Sequence, residues 1–555
     1  MRKRQAQLDV QDARLAAIRN AVSALPGSDL TALDVAQLRG SRHVQASLDP
    51  EAEERRQRSR ALANWEPGYP GERIDYYEEY VQRHAEVNVD WITFPKGPTI
   101  DKDVSREATG VSTLIDRDGS RRVVAPLDDG SVCIRDITAR STSDRGGGGR
   151  IVATSSPGLL TGRSDITDSH TLMTETGAVE CVSIDSQVQR GYFAVQDKLQ
   201  EVDLQTLQLT STKEYPFPIT ALSSCQPGTP LTVGTNMTIH LHDSRDPSQT
   251  ASGTTQANTG ELIGGTASRH AALSQPGPLS ILHHEPSTSI WVAGRFTSLL
   301  NYDLRHFPRL LGTLHSGARI ASLTSLPYPL IPRSLDLIRN PQASLSALHA
   351  ARSEPGTTLL AAAEYKGKGS LELYGLPTRH VYQNRQTASA SKLLSAAPHG
   401  GRVVFADGDG NLKWMERDGF THVRTFNINS ALPASDLAAG DGSDGGIFSS
   451  GADEMGGTGD IVQKILPLSA PSPSATGRPD VSANKLLLWT GDGRLGLLGF
   501  GNAQEEWSEA VEEQAVSVEE RARKDAERQF AARMRRALER NADEVRFVKG
   551  LGLAG

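Results

Sequence analysis

The chain has 555 residues, of which 37 % are apolar and 5 % aromatic, with 52 glycines and 29 prolines. That is lean for a tightly packed enzyme core and suits many turns and short strands. A net charge of -7 gives no electrostatic footprint for nucleic acid, and three widely spaced cysteines (Cys133, Cys181 and Cys225) exclude a disulfide framework and point to a reducing compartment, cytoplasmic or nuclear.

The opening Met1-Arg-Lys-Arg is basic but no apolar stretch follows it, so no secretory signal is expected. No apolar run approaches the ~20 residues that span a bilayer, and no membrane partner is expected. Residues 1–64 read as a polar helical segment, with Leu8, Leu15, Ile18 and Val22 loosely spaced and a charge run from Glu51 to Arg60. Residues 65–109 change character. Turn formers fill Trp65-Glu-Pro-Gly-Tyr-Pro-Gly-Glu72, then Asp75 to Val81 predicts a short helix carrying Tyr76, Tyr77 and Tyr80. Through Trp91 the segment reads as a strap that packs against a larger body.

That body is residues 110–502, where short apolar runs alternate with Gly, Asp, Asn, Ser and Pro clusters, as in an all-β domain. Seven stretches repeat one pattern: a strand, a Gly- or Asp-containing turn, and a second strand with a polar ending. They are 121–136, 191–204, 230–245, 289–305, 358–374, 402–414 and 485–498. Apolar runs at 219–222, 279–282, 345–348 and 391–394 read as strands preceding the pair. Spacing is uneven, 40 residues from Asp203 to Asp243 and 60 from Asp243 to Asp303, against ~40–45 for a regular blade. A lone four-stranded sheet buries too little and leaves open edges, and radial stacking cures both. Seven units predict a WD-repeat-like β-propeller of about seven degenerate blades, with six or eight still open. An acidic, Gly-rich insertion is expected at about 436–460, and a long helix over 503–549 within a C-terminal segment 503–555. In that helix Val511, Phe530, Met534 and Leu538 fall on a narrow apolar edge.

The search for chemistry returns nothing assignable. No Gly-x-Ser-x-Gly elbow or Walker loop is present. The run Gly146 to Gly149 reads as a loop, as does Gly440-Asp-Gly-Ser-Asp-Gly-Gly, which lacks the ordered ligands of a calcium loop. His240 and His242 share one strand face, but no Cys or carboxylate cluster completes a metal site, so they are expected to be packed or surface histidines; His283 and His284 are weaker still. Asp136, Asp243 and Asp303 are expected to satisfy backbone amides of the turns that follow them, with Arg245 and Arg305 leaning back along the blade. The Asn236-Met-Thr sequon is expected to stay unmodified. No catalytic, cofactor-binding or metal residues are expected, and the chain is expected not to be an enzyme.

The Asp-Ser-Arg and Asp-Leu-Arg endings resemble WD-repeat blades. The segment Arg60 to His84 resembles the stretch joining the F-box to the propeller in a group of filamentous-fungal F-box proteins. Tyr192 to Asp197, Glu201 to Leu207, Pro218 to Leu222, Pro230 to Thr235 and Ile239 to Asp243 are similar to the same group. The resemblance implies a Skp-type adaptor as partner, a cullin–RING ubiquitin ligase as context, and a ubiquitination substrate held by the propeller. This chain departs from the pattern where the F-box should be. Leu25-Pro26 leads into Gly-Ser-Asp-Leu-Thr-Ala-Leu-Asp, too sparse and polar for one, so the F-box is either lost or upstream of Met1. The alternative is a structural scaffold subunit of a larger assembly.

Overall fold

The computed structural model describes residue 69 and residues 76–94, 106–137, 149–162, 179–244, 270–273, 277–432, 459–468 and 485–501, except 118, 274–276, 285–287, 338 and 379, with scattered helical positions at 54–59 and 526–540. The chain divides into two compact units, Pro67–Asn502 and the two ends Met1–Glu66 with Ala503–Gly555.

In the larger unit a helix α1 (Tyr76–His84) comes first, with Arg83 and His84 in its last turn, where cations suit the helix dipole. A strand β1 (Val87–Ile92) follows. Then come six four-stranded antiparallel sheets in chain order. They are β2–β5 (Ser112–Ile115, Arg121–Pro126, Val132–Asp136, Arg150–Thr154), β6–β9 (Val182–Asp185, Arg190–Val195, Lys198–Asp203, Gln208–Glu214) and β10–β13 (Ile219–Leu222, Leu231–Thr235, Thr238–His242, His270–Ala272). Next are β14–β17 (Pro278–His284, Ser289–Gly294, Ser298–Asp303, Leu310–His315), β18–β21 (Arg319–Leu326, Thr357–Tyr365, Lys368–Leu376, Val381–Ser389) and β22–β25 (Leu393–His399, Arg402–Asp407, Asn411–Met415, His422–Asn427). The seventh sheet takes β26–β28 (Val462–Pro467, Leu486–Thr490, Leu495–Phe500) from the end of the body and β1 from before it, in the order β1-β28-β27-β26. The molecule is an all-β, seven-bladed β-propeller, and all seven repeats read from the sequence are the second and third strands of its blades.

The strands alternate poorly because both faces of each sheet are covered. Leu359, Leu360, Ala361, Ala362 and Ala363 in β19 are all fully buried. The apolar clusters lie between neighbouring sheets. One joins the fourth and fifth through Trp291, Leu299, Ile320 and Leu359. Another joins the sixth and seventh through Val404, Trp414, Ile465 and Leu488, and a third joins the seventh and first through Leu487, Trp489, Val123 and Ala125. Innermost strands are stitched by short polar side chains. Ser280 Oγ accepts from the Leu323 amide (3.0 Å), and Ser395 Oγ from the Ile465 amide (3.1 Å). In the seventh sheet the matching position is Lys464, whose Nζ donates to Val111 O (3.4 Å) and to Oε2 of Glu180, just ahead of β6 (2.7 Å). Several turns between second and third strands share an Asp-Gly pair. Gly130, Gly410 and Gly493 there have φ of +74°, +75° and +73°, which a side chain opposes.

Two expectations change. The segment expected as a strap, 65–109, contributes a blade strand, β1. The run 345–348, expected as a strand, opens a helix α2 (Leu345–Ser353). Ser344 Oγ accepts from the Ala347 amide as its cap, and Leu345 and Leu348 bury one face. The innermost strand of that blade is β18 instead. The helix expected over 503–549 is described only at scattered positions, all helical, where Phe530 and Met534 are exposed. The rest of it, most of 1–64 and nearly all of the 436–460 insertion lie outside the described residues.

Candidate protein-binding surface

Antiparallel blades put their first–second and third–fourth turns on one face of the ring. On that face the first–second connection of the fifth sheet, residues 327–356, is by far the longest described; its counterparts at 186–189 and 400–401 are tight turns. Long connections inside compact folds are disproportionately functional. This one is pinned by buried Leu330, Leu337, Ala343, Leu345 and Leu348.

Two stacks of arginine on aromatic rings meet there, both carried by the third–fourth loop of the sixth sheet, residues 416–421. In the inner stack Tyr69 and Tyr328 lie with ring centroids 4.5 Å apart, and the Arg417 guanidinium sits 4.9 and 4.6 Å from them. Tyr69 donates to Pro329 O (3.0 Å), and Arg417 Nε donates to Gly401 O. Burial pulls Arg417 down to about 10, with Tyr69 opposing the shift. In the outer stack Arg333 lies 4.7 Å from the Tyr382 ring and 4.5 Å from the Phe420 ring, and Arg339 lies 5.0 Å from Phe420. The Arg333 amide donates to the Tyr382 hydroxyl (2.6 Å), which donates to Ile331 O (2.9 Å). Asp418 accepts from the amides of Phe420 and Thr421 (2.8 and 2.9 Å) and fixes the loop. Gly419 there has φ +72°, and a Cβ on it would strike Leu373. Arg333 and Arg339 are exposed, while Tyr382 and Phe420 are half-buried. The surface is therefore a rigid array of the residue types that carry binding energy at protein interfaces.

Residues singled out from the sequence fall elsewhere. Asp303 caps its turn as expected. It accepts from Thr288 Oγ1 (2.6 Å), His306 Nδ1 (2.9 Å) and the Arg305 amide (3.0 Å), which together hold it down to about 2. Arg305 itself is exposed. Asp136 ends β4 and Asp243 follows β12; Arg245 and the runs Gly146 to Gly148 and 440–446 lie outside the described residues.

His242 is buried, and its two ring nitrogens face Glu201 Oε1 (2.7 Å) and the Tyr215 hydroxyl (3.3 Å). His240 bonds Thr238 Oγ1 (2.7 Å) and packs edge-on to Tyr215. They are packed histidines, and no group of three metal-ligating side chains occurs among the described residues. Glu372, wholly buried, is saturated by Ser316, Ser370, Tyr374 and Arg385, a lock between strands with no oxygen left for a ligand. Burial pushes the thiols of Cys181 and Cys225 up to about 11, which makes them unreactive at neutral pH.

His283 gives a pH prediction. Its Nε2 meets Thr232 Oγ1 (2.8 Å), its Nδ1 is buried without a partner, and burial lowers it from 6.5 to about 4. Between those values the unfolded chain takes up a proton that the folded chain refuses. Stability is therefore full above 6.5 and is expected to fall by about 3 kcal/mol as pH drops to about 4. His283→Gln keeps the bond to Thr232 and removes the titration, so its urea midpoint should fall less. Equal losses in both chains would refute the assignment.

No family model matches the chain, and no curated protein matches it. The class is fixed by the fold alone: a seven-bladed β-propeller, a platform that generally binds proteins.

Proposed function

We propose that this propeller is a non-catalytic protein-binding subunit in the cytoplasm or nucleus. In this reading it presents substrates in the manner of the F-box propellers of cullin–RING ubiquitin ligases. The observation that carries the binding reading is the outer stack of Arg333, Arg339, Tyr382 and Phe420 on the face of the fifth and sixth blades. The ligase context is carried by the resemblance of residues 60–84 and of the second and third blades to the fungal F-box group.

The ligase part is tested by purifying the full chain with its native partners. A Skp-type adaptor should accompany it, and its absence removes the ligase from the proposal. The binding part is tested by Phe420→Ala, which should weaken the captured partner by ~1–2 kcal/mol, about tenfold, while the melting temperature holds.

A second reading is a scaffold subunit that docks through its ends. It is favoured by Phe530 and Met534, four residues apart at helical positions and both exposed. Deleting 503–549 separates the two: loss of the complex with the propeller still folded favours the scaffold, and retained binding favours the face.

A further inference from the structure

We propose that the outer stack is a clamp for a carboxylate-bearing peptide: Arg333 receives an Asp or Glu side chain of the partner, and Phe420 receives an apolar neighbour. This rests on the protein-binding reading of the same surface and adds the chemistry of what is bound.

The charge count at the surface points to this occupant. Arg339 is already neutralised by Asp336, with its Nε 3.2 Å from Oδ2. Asp418 spends its oxygens on the amides of Phe420 and Thr421 and on Thr421 Oγ1 (2.6 Å). Arg333 has no carboxylate partner among the described residues; its guanidinium is held by two rings, and its backbone by Tyr382. An exposed arginine ordinarily loses side-chain entropy when it binds. Here the stacking has already removed much of that freedom, so the planar fork is set for a bidentate carboxylate. One uncompensated guanidinium suits a single carboxylate better than a doubly charged phosphate, which calls for several. The uncovered part of Phe420 supplies apolar contact next to the charge.

The probe is a library of short random peptides displayed on phage, selected against the full chain and against Arg333→Gln. The residue is exposed, so the variant is expected to fold, and circular dichroism with a melting curve checks this. The wild type should enrich peptides with Asp or Glu within two residues of an apolar side chain. Arg333→Gln should keep the apolar preference and lose the acidic one. A selected peptide, resynthesised, should bind the variant roughly ten- to a hundredfold more weakly. Its affinity for the wild type should fall with added salt, while its affinity for the variant should not. Arg333→Lys, which keeps charge but not the fork, should fall between.

Enrichment of peptides without acidic residues, or equal binding by wild type and Arg333→Gln, overturns the carboxylate clamp while leaving the docking surface standing. Enrichment that is unchanged by both Arg333→Gln and Phe420→Ala overturns the surface itself.

Discussion

Glu79→Ala is expected to destabilise the propeller by about 3–5 kcal/mol, the cost of leaving a buried charge without its partner. Glu79 lies on α1 at 5 % exposure. Its Oε1 accepts from Arg83 Nε (2.7 Å) and from Arg402 Nη1 (3.0 Å). Arg402 starts β23 and is 1 % exposed. Its other contact to α1 is Gln82 Oε1, and Gln82 O accepts from Arg424 Nη1 (2.9 Å). Arg83 completes the group by donating to Glu416 Oε1 (2.7 Å). Arg83 and Arg402 face Glu79 and Glu416, with the partly buried Arg424 beside them, so the helix seats on the sixth sheet through paired charges. Burial disfavours the charged Arg402, and Glu79 opposes that. Without Glu79 the guanidinium must remain desolvated or drag the helix off the sheet.

Thermal melting of the variant measures the loss, and a second chain separates ion pairing from packing. Glu79→Ala with Arg402→Leu removes both charges and fills the hole with an apolar side chain. It should recover most of the loss, because paired buried charges are commonly no better than a well-packed apolar substitute. A double variant as unstable as the single one would show that the contact works through shape rather than charge.

The blade hairpins were legible because each is local. A strand, an Asp-Gly turn and a returning strand lie within about sixteen residues, as in Arg402 to Trp414, and the turn chemistry alone announces them. The run 345–348 misled because two leucines three apart with alanines around them satisfy either period over so short a window. Ser344 as a cap and the alanines at 347, 350 and 351 were the signals for a helix. The binding surface was not legible. Arg333 and Phe420 are brought together by two loops of different blades, and no spacing rule connects residues joined only through the ring. The same reason hid the partners of His242 and the anchor of Arg402. That arginine and aromatic residues dominate binding faces is a general rule, and only the blade order places them here.

Ring closure yields the second large effect. A fragment of residues 110–502, the propeller as bounded from sequence, is expected to aggregate, whereas residues 67–502 should stay monodisperse. The shorter fragment lacks Tyr69, α1 and β1, and the exposed edge comes from the loss of β1. Val87 to Ile92 alternates apolar and polar side chains as a half-buried outer strand does, yet lies about twenty residues ahead of the body. It pairs with β28 in six successive positions, Val87 with Phe500 through Ile92 with Leu495. Asn88 Nδ2 donates to Gly501 O (2.8 Å), and Trp91 Nε1 to Ala431 O (3.0 Å). Trp91 lies over Gly496, where a Cβ would come within 3.2 Å of the indole. Val87 packs in the cluster between the sixth and seventh sheets, Ile92 and Phe94 in the one between the seventh and first.

Without β1, the strand Leu495-Gly-Leu-Leu-Gly-Phe500 becomes an edge with no charged residue and no proline, the kind that recruits strands from other chains. Trp489 Nε1 would also lose Ala108 O (2.9 Å), the link from the seventh sheet to the start of the first. Size-exclusion chromatography with light scattering compares the fragments directly. A synthetic peptide of residues 85–94 supplied to 110–502 during refolding should recover part of the monodisperse species, because it restores the pairing along β28 although not α1. A monodisperse 110–502 that melts with 67–502 would mean that the five inter-sheet interfaces β1 does not touch, with what remains of the other two, hold the ring by themselves, and that β1 covers the edge without closing it.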